Sequence, residues 1–242
     1  MRHGDRMDHF DPTWAKTADR PWDSPLVESG FARAFRTGRA FPTLPFPIHR
    51  VLVSPLLRCV QTASEVLTSL CAVDDDPNAR SSRDVVSLDP SKVKVSIEYG
   101  LCSTLNTPAT RLDVVPKNGI FPFDVSKLEA LFPSGTLDRT VEPVYNEYET
   151  TMDTRSRNEQ TLKALADKYP SENLLLVSHW TGVAVSVSAF KEDTRVTKVA
   201  YWGYSELRRP VCWENKTFTA RNFEVLSESG RTSVTYKAKL KL

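Results

Sequence analysis

Residues 49–67 read "HRVLVSPLLRCVQTASEVL", and two periodicities meet inside them. "HRVLV" (49–53) is a short valine-rich apolar run set off upstream by Pro42, Pro45 and Pro47, the pattern of a buried strand. From residue 54 the spacing changes. Leu56, Val60, Ala63 and Leu67 recur at helical intervals over 54–72, Ser54 suits an N-cap, and Pro55 suits the first helical position. A strand therefore runs straight into a helix N-terminus, with Arg58 on the first turn. Residues 172–190, "ENLLLVSHWTGVAVSVSAF", repeat the arrangement: an apolar strand, then Ser178 and His179, then a helix.

The rest of the chain fits around these two junctions. Residues 27–41 carry Phe31, Ala34 and Phe35 at helical spacing with arginines opposite, and 126–132 and 144–170 also read as helices, the latter ended by Pro170. Residues 93–101 alternate like a strand, 199–213 read as strand, and 222–238 read as a hairpin around "SESG". Segments 10–26 and 74–92 read as surface loops, and 107–124 as irregular. Strands alternating with helices imply an α/β fold with a parallel sheet covered on both faces. No internal repeat is present, and residues 1–242 are expected to form one domain.

Composition narrows the partners. The 242 residues include 32 Lys plus Arg and 30 Asp plus Glu, a net charge of +2 with no basic run, so a nucleic-acid partner is not expected. No apolar stretch is long enough for a membrane span and the N-terminus is too polar for a signal peptide, which points to a cytoplasmic protein. Cys59, Cys71, Cys102 and Cys212 form no C-x-x-C pair, the pattern of reduced thiols rather than of a zinc site.

In open α/β sheets, ligands bind beyond the carboxyl ends of the strands, where helix N-termini favour anions. Both junctions present polar residues there, and "RHGDR" (2–6) has the same character. Singly these signals are weak: "RHG" reads as a surface turn, His179 as a structural histidine, Arg58 as part of a solvated helix face. If the three segments converge, they assemble Arg2, His3, Arg6, Arg58 and His179. Guanidinium forks match phosphate oxygens, and a neutral imidazole flanked by positive charge is a competent nucleophile toward phosphorus. The chemistry expected is phosphoryl transfer from a monoester to a histidine and then to water. No metal or cofactor is called for, because arginines supply the positive charge.

"RHGDR", "SPLLRCVQTA" and "LLLVSHW", in this order and at these spacings, resemble the histidine phosphatase superfamily, phosphoglycerate-mutase-like branch. Within it the chain is most similar to the subgroup of suppressor-of-T-cell-receptor-signalling phosphatases, ecdysteroid-phosphate phosphatase and plant phosphoglycerate mutase family proteins. The resemblance runs from residue 1 to roughly 210. It implies a three-layer α/β/α fold with a mostly parallel central sheet. It also implies His3 as the nucleophile that becomes phosphohistidine, and Arg2 and Arg58 as phosphate ligands assisted by Arg6. His179 would be a second donor to the phosphoryl group, and Ser54 would shape the turn that carries Arg58. The substrate would be a phosphorylated small molecule or a phosphoprotein, and a homodimer is compatible with the resemblance.

The chain departs from this pattern in three places. The segment carrying the acid is "EYGLCS" here, keeping Glu98 as acid/base candidate but placing Ser103 at the usual acid position. Trp180 follows His179 where the pattern has glycine. Only Met1 stands before "RHG", where the family has an apolar first strand, so that strand is expected to be missing and His3 poorly anchored. These departures keep open an alternative, a catalytically impaired protein that binds phosphorylated ligands. A phosphoglycerate mutase is the less favoured alternative.

Overall fold

The computed structural model describes residues 1–74, 76–105, 113–140, 142–145 and 153–239. Its centre is a three-stranded parallel sheet in the order β2-β1-β3, made of Arg50–Val53 (β1), Lys94–Ile97 (β2) and Leu174–Val177 (β3). Val51 lies opposite Val95 on one side and Leu175 on the other. Apolar residues on both faces make β1 a continuous buried run, as expected of a parallel strand with both faces covered.

The two faces follow the strand alternation. Val51, Val53, Val95 and Val177 face a core built with α3 (Leu57–Cys71), which supplies Val60, Ala63, Val66 and Leu67, all fully buried. Burying a valine or leucine side chain of this kind stabilises the fold by about 1.5–3 kcal/mol each. Outside α3 packs α2 (Glu28–Ala40), so close that a Cβ on Gly38 would come within 2.9 Å of the Val66 carbonyl oxygen. Leu52 points the other way, to Leu165 and Tyr169, which belong to α5 (Thr154–Lys168) and the residue after it. α6 (Trp180–Ser188) packs on α5 and on β4 (Thr194–Val199), with Val183, Ala184 and Val187 against Val196, Val199 and Val234. Two short helices complete the set, α1 (Met7–Phe10) and α4 (Val125–Glu129). The three-layer architecture expected from the sequence is the one found.

Several local expectations change. The segment before "HG" is not an extended strand, yet Met1–His3 takes its place along β3. Ser178 N–H donates to the Met1 carbonyl at 2.9 Å, His3 N–H donates to the Ser178 carbonyl at 3.0 Å, and Arg2 forms a parallel bridge with Ser178. On the other side Arg2 N–H donates to the Gly203 carbonyl at 2.8 Å. His3 is therefore held from both flanks and is 2% exposed, which overturns the expectation that it is poorly anchored.

Ser54 is not an N-cap and Pro55 is not in the helix, because α3 starts three residues later. Its first N–H, that of Leu57, is capped from afar by Asp23 Oδ1 at 2.8 Å. The helix expected from 144 begins at Thr154, where the Asp153 carboxylate accepts from Ser156 N–H; residues 146–152 lie outside the described residues. The strand expected through 101 stops at Ile97, because the Glu98 carboxylate turns the chain by accepting from Gly100 N–H.

Residues 222–238 are not a hairpin. β8 (Glu224–Val225) pairs with β5 (Leu207–Arg208), and β9 (Val234–Ala238) pairs with β4. The local hairpin is β6 (Val211–Glu214) with β7 (Thr217–Ala220). Its turn residues Asn215 and Lys216 have φ of 47° and 67°, the left-handed pair that a two-residue turn between twisted strands requires. Among the described residues, no helix is long and apolar enough to cross a membrane.

Candidate active site

At the carboxyl end of the sheet, β1 delivers Ser54 and the α3 start delivers Arg58, while β3 delivers Ser178 and His179. The bridge along β3 adds His3. Arg58 lies between the two imidazoles: its Nε donates to His3 Nε2 at 3.2 Å and its Nη2 to His179 Nδ1 at 3.3 Å. The two rings sit edge-on, 5.2 Å apart. His3, Arg58 and His179 are all buried, so the sequence-predicted nucleophile, phosphate ligand and second histidine are in direct contact.

Hydrogen-bond partners fix the tautomers. His3 Nδ1 lies 2.8 Å from the Gly4 carbonyl, which can only accept, so Nδ1 carries the proton and Nε2 keeps its lone pair. A guanidinium cannot accept, so His179 Nδ1 is unprotonated and Nε2–H donates to Ser54 Oγ at 2.8 Å. Burial pushes both histidines well below the ordinary value; Arg58 is the next cause for each, with His179 and Arg2 adding for His3, and Arg6 and Arg2 for His179. Both rings are held neutral, as a nucleophile toward phosphorus must be.

Two glycines make this approach feasible. A Cβ on Gly4 would lie 2.0 Å from Cζ2 of Trp202, whose indole covers the Arg2–Asp5 turn and donates to Asp5 Oδ2 at 3.2 Å. Trp202 itself takes φ of 66°, an uncommon left-handed conformation for a bulky residue. A Cβ on Gly182 would lie 2.5 Å from Ser178 Oγ, so glycine lets α6 begin directly behind the Ser178–His179 pair.

The remaining candidates take other positions. Arg2 is in the cluster's field, but its Nη1 donates to the Val199 carbonyl at 2.6 Å and its guanidinium lies 4.2 Å above the Tyr201 ring. Arg6 acts on Arg58 and His179 through its charge, while its fork is engaged by Asp8 at 2.9 and 2.5 Å. Two buried donors, Arg2 Nε and Arg58 Nη1, have no hydrogen-bond partner. In a cluster of this charge, an anionic oxygen is the acceptor they suit.

Glu98 does not join the cluster as an acid. Its Oε1 accepts from Gly100 and Tyr145 N–H at 2.9 and 3.1 Å and its Oε2 from Val144 N–H at 2.7 Å, so the carboxylate ties two loops together. Ser103 has its carbonyl in contact with Arg157 Nη2 at 3.4 Å. Trp180 is 41% exposed at the rim.

Three residues near the site were not singled out from the sequence. Asp23 is 3% exposed, caps α3, accepts from Arg20 at 3.2 Å and lies 4.0 Å from Arg58 Nη1, holding that arginine and its helix in place. The signal for it was "PWDSPL", a buried-looking acid among apolar residues. Tyr201 lies 5.7 Å from the His3 ring, and His9 bonds to it. Among the described residues, no group of three or more His, Cys, Asp or Glu side chains is arranged to hold a metal ion.

The family model of the histidine phosphatase superfamily (branch 1) matches residues 1–80. No curated protein matches. Among solved structures, the ecdysone phosphate phosphatase of Bombix mori, in complex with tungstate, superposes with a TM-score of 0.57 at 21% identity, covering 94% of this chain and 90% of that one. A phosphoglycerate mutase from Bacillus anthracis follows at a TM-score of 0.47 and 15% identity, over 91% of this chain and 89% of that one. The first of these likenesses establishes a shared fold.

Proposed function

We propose that this chain, whose residues 1–80 match the family model of the histidine phosphatase superfamily, hydrolyses phosphate monoesters through a phosphohistidine on His3. One observation carries the reading: His3 is buried with Nδ1 tied to the Gly4 carbonyl, and its Nε2 lone pair lies beside Arg58 and the neutral His179. An ester phosphate entering the cluster accepts the Arg58 N–H groups, displacing the Arg58–His3 bond and freeing Nε2. As the Nε2–P bond forms, the P–O bond to the ester oxygen breaks and that oxygen takes up a proton. Arg58 and Arg2 stabilise the equatorial oxygens of the transferring group. The dianion offsets the Arg58, Arg6 and Arg2 charges that add to burial in keeping His179 neutral, so His179, taking a proton from solvent at Nδ1, donates to the same oxygens. Water then attacks the phosphohistidine, releasing inorganic phosphate and restoring His3.

The test is turnover of an aryl phosphate by the wild-type chain and by His3→Ala, with phosphoenzyme trapped under alkaline denaturing conditions. The expected result is turnover and a base-stable phosphoenzyme in the wild type, and neither in the variant. Equal rates in the two proteins refute the reading.

A further inference from the structure

Transfer from an alkyl ester leaves an alkoxide that needs a proton, and among the described residues no carboxyl contacting the cluster is free to give one. Glu98 is held by three backbone N–H groups. Asp8 is paired with Arg6, Asp5 accepts from Arg33 and Trp202, and Asp23 is taken by Leu57 N–H and Arg20. Ser103 occupies the position where an acid was expected.

We propose that Tyr201 and His9 form the proton relay to the leaving group. The inference rests on the phosphatase reading above. Tyr201 stands between the nucleophile and the surface: its ring is 5.7 Å from the His3 ring and 6.0 Å from the His9 ring, and its Oη is 2.5 Å from His9 Nδ1. The Arg2 guanidinium lies 4.2 Å over the same ring, so the phenol is packed against a phosphate-binding cation. His9 is exposed, in contact with the solvent that must resupply its proton; partial burial and then the Arg6 charge lower its proton affinity, and a phosphate dianion entering beside these cations offsets that charge.

The proton balance closes within this pair. When His9 is protonated, Nδ1–H donates to Tyr201 Oη, and the phenol hydrogen points to the ester oxygen. As the P–O bond breaks, the ester oxygen takes the phenol proton, Tyr201 takes the Nδ1 proton, and His9 is left neutral. In the second half-reaction the attacking water gives its proton back along the same path. The pair is general acid and then general base, with neither group consumed.

The experiment compares an alkyl and an aryl phosphate as substrates for the full chain, as wild type, Tyr201→Phe, His9→Gln and the double variant. Aryl leaving groups need little protonation and alkyl groups need much. Tyr201→Phe keeps the ring that packs on His3 and Arg2 and removes only the hydroxyl. The expected result is that each variant lowers kcat on the alkyl ester by about a hundredfold more than on the aryl ester, with the double variant no worse than either single one. Losses of equal size on both esters would assign the pair a structural role and overturn the proposal, as would alkyl turnover that survives both substitutions. Failure of the phosphatase reading itself looks different: wild type and His3→Ala would then be indistinguishable on the aryl ester.

Discussion

Lowering the pH from 7 to 5.5 should destabilise the folded protein through the two buried imidazoles. His3 and His179 are neutral in the fold because burial, and then Arg58, push their proton affinity far down. In the unfolded chain each titrates near 6.5. Below that value the unfolded state binds protons that the folded state refuses, so stability falls as pH falls, approaching about 1.4 kcal/mol per pH unit for each histidine. Integrated over this window, the loss from the two sites together has an upper limit of about 2.5 kcal/mol. The buried carboxyls Asp23 and Glu98 are raised by burial and titrate in the opposite sense, so the informative quantity is a difference between proteins. Urea unfolding at pH 7, 6.5, 6 and 5.5 on the wild type, His3→Gln and His179→Gln measures it. Each variant should lose about half of the pH-dependent drop, whatever its stability at pH 7. A wild-type slope unchanged in both variants would show that the imidazoles are not held neutral by the fold.

Other outcomes follow from single contacts. Gly4→Ala places a methyl 2.0 Å from Trp202 Cζ2, and thermal unfolding should show a loss of about 1–3 kcal/mol or more, with His3 displaced and turnover lost. Arg58→Lys removes the fork that spans both histidines, and inhibition by inorganic phosphate should weaken by at least about tenfold. Glu98→Gln turns one acceptor oxygen into an NH2 that faces a backbone N–H and should cost about 1–3 kcal/mol in urea unfolding, while the ratio of alkyl to aryl turnover stays as in the wild type. Burial pushes the Cys59 thiol up to about 12, and Cys71 and Cys102 are buried too, so a thiol reagent on the native protein should modify Cys212 alone.

The carboxyl end of the sheet was legible because each of its parts is local. A strand followed within five residues by a helix fixes where Arg58 must stand, and the same grammar places His179. The apolar stripe Leu56, Val60, Ala63 and Leu67 is fully buried, as its spacing required. What was not legible depends on pairs far apart in the chain. Ser54 has the chemistry of an N-cap, but a remote acid, Asp23, holds that helix, and this frees the Ser54 hydroxyl for His179. Glu98 sits in a motif that suggests an acid, yet its burial is spent on loops 46 and 47 residues away in sequence. The partners of the late strands were misjudged for the same reason: alternation marks a strand and says nothing of which strand it pairs with.

His3 shows most clearly how local reasoning failed. None of its neighbours in sequence is apolar except Met1, so nothing local supports His3. Support comes instead from chain that arrives later. Ser178 and Gly203 take up the backbone on either side, Thr62 Oγ1 accepts the Gly4 N–H at 3.1 Å, and Trp202 closes over the glycine. The short stub is fixed because three segments more than fifty residues away converge on it. Those same segments bring Arg58, His179 and Tyr201. The contacts that order His3 therefore also assemble its partners, and a substitution that loosens one should loosen the others. Replacing Thr62, which touches Gly4 and accepts no role in the chemistry, provides the check: Thr62→Val removes one bond to the stub and should lower aryl phosphate turnover without changing the alkyl-to-aryl ratio. A changed ratio would mean that Thr62 acts on the proton transfer rather than on the position of His3.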